Sequence, residues 1–480
     1  MTFEDAMREV EEAHAFPSPE HFHARRLAWL LDRSGLGRRA HALRWALVAG
    51  SCGKASTARL LAFIARRLLD RAGYDAPVVL GTKPPLSETP DGQRERYQRF
   101  DRDALAPRWI TRDDFACQVD ALRPFVDALA REAPALGPLA PYDLRYAVLL
   151  RYAVERGAAF AVFEANIGLR DDPTSALPTP CVQLLTPIDT DHAQLLRAPS
   201  PLPASLADLG ERAGPVWHKA GGLRAGVPLV VGAQEAPVAR SIATLAAERG
   251  VSSITSRGVD YDVLRRACAL DGSDATLRVG AEVVDVHVRA VGGFQVDNAA
   301  QAAASALRLI QDGALPGDVS AWRHAVRDGL RDATMPGRME VLSTRPLTLL
   351  QVGASAVKMR GFVDALSELI DAQGGARVVA CGSFLARIHD ATEPVSILAR
   401  APWLSALFAT ACEVSGDAAD LDGEAVVAAA TRVRPGLAAF ARSDPEAALR
   451  DARALADATG AALVIVGNGL GARDLSTLKT

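Results

Sequence analysis

Lysine is scarce in this chain. Of 54 basic residues only five are lysines, Lys54, Lys83, Lys219, Lys358 and Lys479, so arginine is the default cation. A lysine standing against that bias points to a need for a compact ammonium or a primary amine, which a guanidinium cannot supply. Cysteine is thin as well. Cys52, Cys117, Cys181, Cys268, Cys381 and Cys412 are scattered without a C-x-x-C pair, which argues for reduced thiols and against a disulfide or zinc framework. There is no basic surplus either: a net charge of -3 excludes a nucleic-acid backbone or an anionic membrane as the natural partner. No apolar run reaches bilayer length, and the start, Met1-Thr2-Phe3-Glu4-Asp5, is acidic where a signal peptide is basic. A cytoplasmic protein is the expectation. His21 and His23 flank Phe22 with no further ligand nearby, so they read as surface residues. Internal repeats and low-complexity tracts are absent too. What remains is 480 residues, 49% hydrophobic and 23% charged, enough for two or three well-filled domains.

The stretch with most chemical content is Trp45-Ala46-Leu47-Val48-Ala49-Gly50-Ser51-Cys52-Gly53-Lys54-Ala55-Ser56-Thr57. A short apolar strand meets a turn bounded by two glycines and then a helical pattern. Gly50 and Gly53 let the backbone curl with its N–H groups inward, the helix contributes its positive end, and Lys54 contributes a full charge. Ser56 or Thr57 then stands where a hydroxyl would hold magnesium. The common Gly-x4-Gly-Lys-Ser/Thr pattern is not met, since Val48 takes the place of the first glycine and Ala55 follows the lysine.

Along the rest of the chain, strands alternate with helices, the pattern of a mostly parallel sheet covered on both faces. Residues 1–44 read as a helical preface, with amphipathic patterns near Phe3–Ala15 and His21–Leu36. A central domain over 45–335 follows. It carries strands at Trp45–Ala49, Ala76–Leu80, Ala158–Phe163, Cys181–Leu185 and Leu229–Val231, and helices at 55–72, Asp113–Arg131, Tyr142–Arg156 and Val238–Arg249. Alternation within Val259–Val291 predicts antiparallel structure, and Gly292-Gly293-Phe294 opens a helix running to about Ile310. Residues 336–480 form a smaller C-terminal Rossmann-like α/β domain. Its strands are expected at Leu347–Gln351, Arg377–Ala380, Leu407–Cys412 and Ala462–Val466, with helices at Ala356–Asp371 and Pro445–Thr459. Ligands of such sheets bind beyond the carboxyl ends of the strands, where Gly50, Glu164 and His192 would lie. Gly467-Asn468-Gly469-Leu470-Gly471 imitates a dinucleotide loop, but too little chain follows for a βαβ unit and a simple turn is expected.

Taken in order, six stretches resemble the Mur ligase superfamily, most closely its folylpolyglutamate synthase branch. Gly50-Ser51-Cys52-Gly53-Lys54-Ala55-Ser56-Thr57 is similar to Gly-Thr-Asn-Gly-Lys-Gly-Ser-Thr. Glu164-x-x-x-Gly168-x-Arg170-x-Asp172-x-Thr174 is similar to Glu-Val-Gly-Leu-Gly-Gly-Arg-Leu-Asp-Ala-Thr. Thr186-Pro187-Ile188-Asp189-Thr190-Asp191-His192 looks like Thr-Asn-Ile-Gly-Leu-Asp-His, and His218-Lys219-Ala220-Gly221-Gly222-Leu223-Arg224-Ala225-Gly226-Val227-Pro228 looks like Glu-Lys-Ala-Gly-Ile-Ile-Lys-Pro-Gly-Val-Pro. Gly293-Phe294-Gln295-x-x-Asn298-Ala299 and Met335-Pro336-Gly337-Arg338-Met339-Glu340 resemble His-Gln-x-x-Asn-Ala and Trp-Pro-Gly-Arg-x-Glu. Each match is short, and their common order is what carries the resemblance.

The resemblance implies an ATP- and magnesium-dependent amide ligase, in which a substrate carboxylate takes the γ-phosphoryl group and an amino acid or other amine displaces phosphate from the acyl phosphate. Gly50, Ser51, Gly53, Lys54, Ser56 and Thr57 would cradle the nucleotide phosphates, and Arg338 would join them. Ser56, Glu164 and His192 would be magnesium ligands. Lys219 aligns with a lysine that the family carbamylates to hold a second metal, although Glu211-Arg212-Ala213-Gly214 offers a rival register. Asn298, near a helix start, is read equally as an adenine contact or as a cap. Two departures stand out. Val352-Gly353-Ala354-Ser355-Ala356-Val357 replaces Asp-Gly-Ala-His-Asn-Pro, removing an Asp and a His expected to face the nucleotide. Thr82-Lys83-Pro84-Pro85 replaces Thr-Ser-Pro-His, so a cation stands where a serine would bind magnesium; Lys83 would either repel the metal or substitute for its charge. The run Gly81-Thr82-Lys83-Pro84-x5-Pro90-Asp91-Gly92 looks instead like the corresponding loop of poly-γ-glutamate synthases. The alternative to a working ligase is a nucleotide-binding homologue that has lost ligation and serves as a regulatory or scaffolding subunit.

Overall fold

The computed structural model describes residues 1–12, 24–83, 85, 89–190, 195–353, 355–372, 375–386, 391–412, 420–471 and 475. The first sheet contains β1 (Trp45–Ala49), β2 (Val78–Gly81), β3 (Tyr97–Phe100), β4 (Arg108–Trp109), β5 (Phe160–Glu164), β6 (Val182–Leu185), β7 (Leu229–Val231) and β8 (Ile254–Ser256). Its order is β4-β3-β2-β5-β1-β6-β7-β8. Strands β2, β5, β1, β6, β7 and β8 run parallel, while β3 and β4 add an antiparallel edge. The parallel strands β1, β2, β5, β6 and β7 are buried along their whole length, which is why they read as unbroken apolar runs and not as alternation.

The helix Lys54–Arg71 lies at the centre of one face. The helices Gly293–Gln311 and Val319–Asp332 cover it, and its exposure falls nearly to zero from Thr57 to Ala65. A Cβ on Gly329 would come within 2.9 Å of the Ile64 backbone, so a residue without a side chain lets these two helices approach. The helices Phe3–Glu12, Arg25–Arg33, Arg112–Glu132 and Pro141–Glu155 pack on the opposite face. They are held there in part by the buried Arg26–Asp143 ion pair, 2.9 Å long.

A second, antiparallel sheet of β9 (Tyr261–Ala269), β10 (Gly272–Val279) and β11 (Glu282–Val288) lies where alternation predicted it. The third sheet, β12 (Arg338–Thr344), β13 (Leu347–Gln351), β14 (Val378–Gly382), β15 (Leu404–Ala409), β16 (Ala438–Ala441) and β17 (Ala462–Val466), has the order β12-β13-β17-β14-β15-β16 and buries helices on both faces. No helix among the described residues is long and apolar enough to cross a membrane.

Several elements differ from the sequence expectation. The strand placed at Leu407–Cys412 runs Leu404–Ala409, because Trp403 and Ala401, and not the later cysteine, begin the buried stretch. The stretch Asn468–Gly471, expected as a simple turn, forms a one-turn helix after β17. The helix Val319–Asp332 was readable but missed: the Asp318 side chain accepts from Ala321 N at 2.8 Å, and Trp322, Ala325, Val326, Gly329 and Leu330 form a buried stripe at helical spacing.

Candidate active site at the phosphate loop

Three strand ends stand side by side here. β1 pairs with β5, Val48 opposite Glu164, and with β6, Ala49 opposite Leu185. The segments leaving all three strands at their carboxyl ends therefore meet. Gly50 has φ 138° and Gly53 has φ 81°, backbone values that side chains strongly disfavour. Space forbids a side chain too. A Cβ on Gly50 would lie 2.1 Å from Thr186 Oγ1, and one on Gly53 would lie 2.4 Å from Asn298 Oδ1.

The loop's inner donors differ from the simplest expectation. Ser51 N and Cys52 N donate to Pro187 O at 2.8 and 3.4 Å, and Ser51 Oγ donates to Asp189 O while accepting from Asp189 N. Ser51, predicted to contact nucleotide, thus ties the loop to the segment after β6. The amides of Lys54, Ala55 and Ser56 begin the helix and have no acceptor within it, leaving them as the anion-binding end. Lys54 Nζ folds over the loop and donates to Gly50 O at 2.9 Å and Ser51 O at 3.2 Å.

Of the two hydroxyls considered for magnesium, Thr57 is turned away. Its Oγ1 donates to Asn298 Oδ1 at 3.3 Å, and Asn298 Nδ2 donates to Gln295 Oε1 at 3.0 Å. Asn298 lies in the second turn of Gly293–Gln311, so the capping alternative is overturned: Gly292 holds the cap position. Its carboxamide instead braces the phosphate-loop helix.

Glu164 ends β5, 5% exposed, with Oε2 accepting from Lys83 N at 2.9 Å. The following loop is organised by Asp172, a fully buried carboxylate within the Glu164–Thr174 motif to which the resemblance assigned no role. Its Oδ2 accepts from Ile167 N at 2.7 Å and Gly168 N at 3.5 Å, and its Oδ1 from Thr174 N at 3.0 Å and Thr174 Oγ1 at 2.7 Å. The loop then leans on the helix Ala213–Ala220: Leu169 N and Arg170 N both donate to His218 O, and Arg170 stacks over Trp217 with its guanidinium carbon 4.1 Å from the ring centre. This docking delivers Lys219, 1% exposed, whose Nζ donates to Gly50 O at 3.1 Å and Ile167 O at 3.2 Å. Lys54 and Lys219 thus share one carbonyl of the phosphate loop.

Lys83 completes the group. Its side chain is half-buried, with Nζ donating to Asn166 Oδ1 at 2.6 Å and to the Asn166 carbonyl, and lying 5.4 Å from the centre of the Tyr142 ring. Burial pulls the pKa of this ammonium below the ordinary lysine value; the Lys54 charge pulls the same way, and Tyr142, Glu164 and Asp172 oppose it. Three of the chain's five lysines therefore gather around one loop.

Arg338 is the first residue of β12 in the third sheet, just after the turn at Pro336 and Gly337, its Nη1 donating to Pro336 O at 3.4 Å. Its charge is felt by Arg59, about one and a half turns beyond Lys54 on the same helix. Burial lowers the Arg59 pKa to about 10, Arg338 adds to that, and Glu95 opposes it. Arg59 is nonetheless satisfied by Thr334 O at 2.6 Å and Gln98 Oε1 at 2.5 Å. Val352, in the position of the missing Asp, is buried and donates its amide to Gly337 O at 2.7 Å, so it braces the Arg338 turn.

His192 lies outside the described residues, and among those described no three His, Cys, Asp or Glu side chains converge as a ready-made metal cluster. The donors present still suit magnesium, which keeps several waters and usually takes one or two carboxylates together with substrate phosphates. Glu164 supplies a carboxylate with one oxygen engaged by Lys83 N, and Ser56 a hydroxyl in the first turn of the phosphate-loop helix.

No family model matches the chain. Against solved structures, it aligns with Mycobacterium tuberculosis folylpolyglutamate synthase complexed with ADP and AMPPCP at TM-score 0.79 and 22% identity, covering 98% of both chains. The chain has the folylpolyglutamate synthase fold. The apo form of L. casei FPGS aligns at TM-score 0.75 and 21% identity over 100% of both chains. In sequence, the dihydrofolate synthase/folylpolyglutamate synthase of M. tuberculosis is 25% identical over 346 residues, 69% of this chain and 64% of that relative. The Bacillus subtilis protein of the same name is 26% identical over 321 residues, 65% of this chain and 64% of that relative. These matches span a little under two thirds of the length of the two relatives.

Proposed function

We propose that this chain is an ATP-dependent amide ligase that activates a carboxylate as an acyl phosphate and joins it to an amino acid or other amine. The convergence of Lys54, Glu164 and Lys219 on the phosphate loop supports this reading, because two ammonium groups and one carboxylate would then face the charge that phosphoryl transfer spreads. Lys54, with the first-turn amides, would hold the β- and γ-phosphates. Magnesium, when bound, would neutralise charge on the transferring group, and Glu164, Ser56 and His192 would hold it. Arg338 would approach from the third sheet. The acid's carboxylate oxygen forms the new P–O bond as ADP leaves; the amine then attacks the acyl carbon, phosphate departs, and the nitrogen gives up a proton.

The two named relatives are dihydrofolate synthase/folylpolyglutamate synthases, so folates head the acid panel and glutamate the amines. The cation at Lys83 and the apolar Val352 make non-folate acids equal members of that panel. The test is amine-dependent release of ADP across acids and amino acids. Release with at least one pair is expected, and silence across the panel sinks the ligase reading.

Lys219 supports the loop as an ammonium in this reading. Two backbone carbonyls accept from its nitrogen, and a carbamate, which keeps a single N–H, would give one of them up. Intact-mass spectrometry of protein purified in bicarbonate-containing buffer is expected to show no added carbon dioxide, and the carbamate mass would restore the modified lysine of the resemblance.

A further inference from the structure

Lys83 grips both ends of a three-residue segment. Its backbone N–H donates to the Glu164 carboxylate, and its ammonium donates to the side chain and carbonyl of Asn166. The register of the sheet imposes this, because Gly81 pairs with Phe163 and so leads Thr82 and Lys83 past the end of β5. The ammonium is placed inward, within electrostatic reach of Glu164, Asp172 and Lys54, and rests against the face of Tyr142. Asp172 is fully engaged by four donors of its own loop. Glu164 is therefore the carboxylate in this group that has capacity left for a cation, and the Lys83 ammonium, seated on Asn166 two residues further along, lies within electrostatic reach of it. One divalent ion there would be offset by the nucleotide phosphates, whereas a second ion seeking the same carboxylate meets the Lys83 charge in a poorly solvated setting, where repulsion is weakly screened. In a chain that uses arginine nearly everywhere, a lysine here also matches the compact charge that an ion site requires.

We propose that Lys83 is a resident cation of the site, taking at Glu164 the place of a second divalent ion, so that the chain binds one divalent ion with each nucleotide. The proposal rests on the ligase reading and sharpens it. The experiment counts Mn2+ bound per chain at saturating AMPPCP, from the EPR signal of free Mn2+, with AMPPCP binding followed separately by calorimetry. The unaltered chain is expected to bind one Mn2+. Lys83→Ser, which exchanges the charge for a hydroxyl, is expected to bind two. Lys83→Gln keeps a donor for Asn166 while dropping the charge, so it guards against a folding failure, and two ions are expected there as well. Two ions in the unaltered chain overturn the proposal, as does one ion in variants that bind AMPPCP normally. Loss of AMPPCP binding in both variants overturns it too, since Lys83 would then hold the nucleotide or the fold. Failure of the unaltered chain to bind AMPPCP removes the ligase reading itself.

Discussion

Lys54→Ala is expected to lower amine-dependent ADP release by about a thousandfold while leaving the thermal unfolding midpoint nearly unchanged. The reasoning begins with what Lys54 does in the absence of a ligand. Its ammonium folds over the phosphate loop onto two backbone carbonyls, Gly50 O and Ser51 O, and is only partly buried, so the fold does not depend on it. A phosphate bound at the helix start would offer that ammonium a stronger, charged acceptor. Removing one preorganised charge or donor aimed at a transferring group typically costs on the order of a hundred- to a thousandfold. Lys54 supplies a full charge, which places it toward the larger figure. Steady-state kinetics with the best acid and amine pair checks the first part, and differential scanning calorimetry the second. A variant within a few-fold of the unaltered rate would remove Lys54 from the phosphate site.

The largest structural effect belongs to Asp172. Asp172→Ala deletes the acceptor for Ile167 N, Gly168 N, Thr174 N and Thr174 Oγ1 at a site with no solvent exposure. Leaving buried donors without partners costs roughly 1 to 3 kcal/mol each, less where the loop relaxes, so a loss of about 3 to 5 kcal/mol in unfolding free energy is expected. Denaturant titration measures it. Activity should fall in the folded fraction too, because the same loop carries the Ile167 carbonyl that receives Lys219 and follows directly from Glu164. Asp172→Asn separates the two effects. It keeps the shape and one acceptor oxygen but presents an amide to donors on the other side, so stability should recover only in part. A variant as stable as the unaltered chain would show that the loop is held by its docking on His218 and Trp217 alone.

The parallel strands and the phosphate loop were legible because their signals are local. An apolar run buried on both faces, a glycine at each end of a tight turn and a helical stripe are all written over fewer than about twenty residues. Hence β7, β13, β17 and the helix Pro445–Thr459 agree residue for residue with the sequence expectation. The short edge strands β4 and β16 were not seen, since such strands carry little buried pattern of their own and form because a neighbour offers free backbone groups.

Local sequence patterns suffice to show that a phosphate loop precedes a central helix, that Glu164 ends a strand, and that five lysines stand out against arginine. The tertiary structure alone decided which of them meet. Lys54, Lys83 and Lys219 are far apart in the chain and come to one loop only because β2, β5, β1 and β6 lie in that spatial order with their carboxyl ends aligned. It likewise decided that Asn298 braces Thr57 instead of capping its helix, and that Ser51 faces the segment after β6. Strand order and side-chain direction come from long-range pairing and packing, and a local pattern holds no record of either.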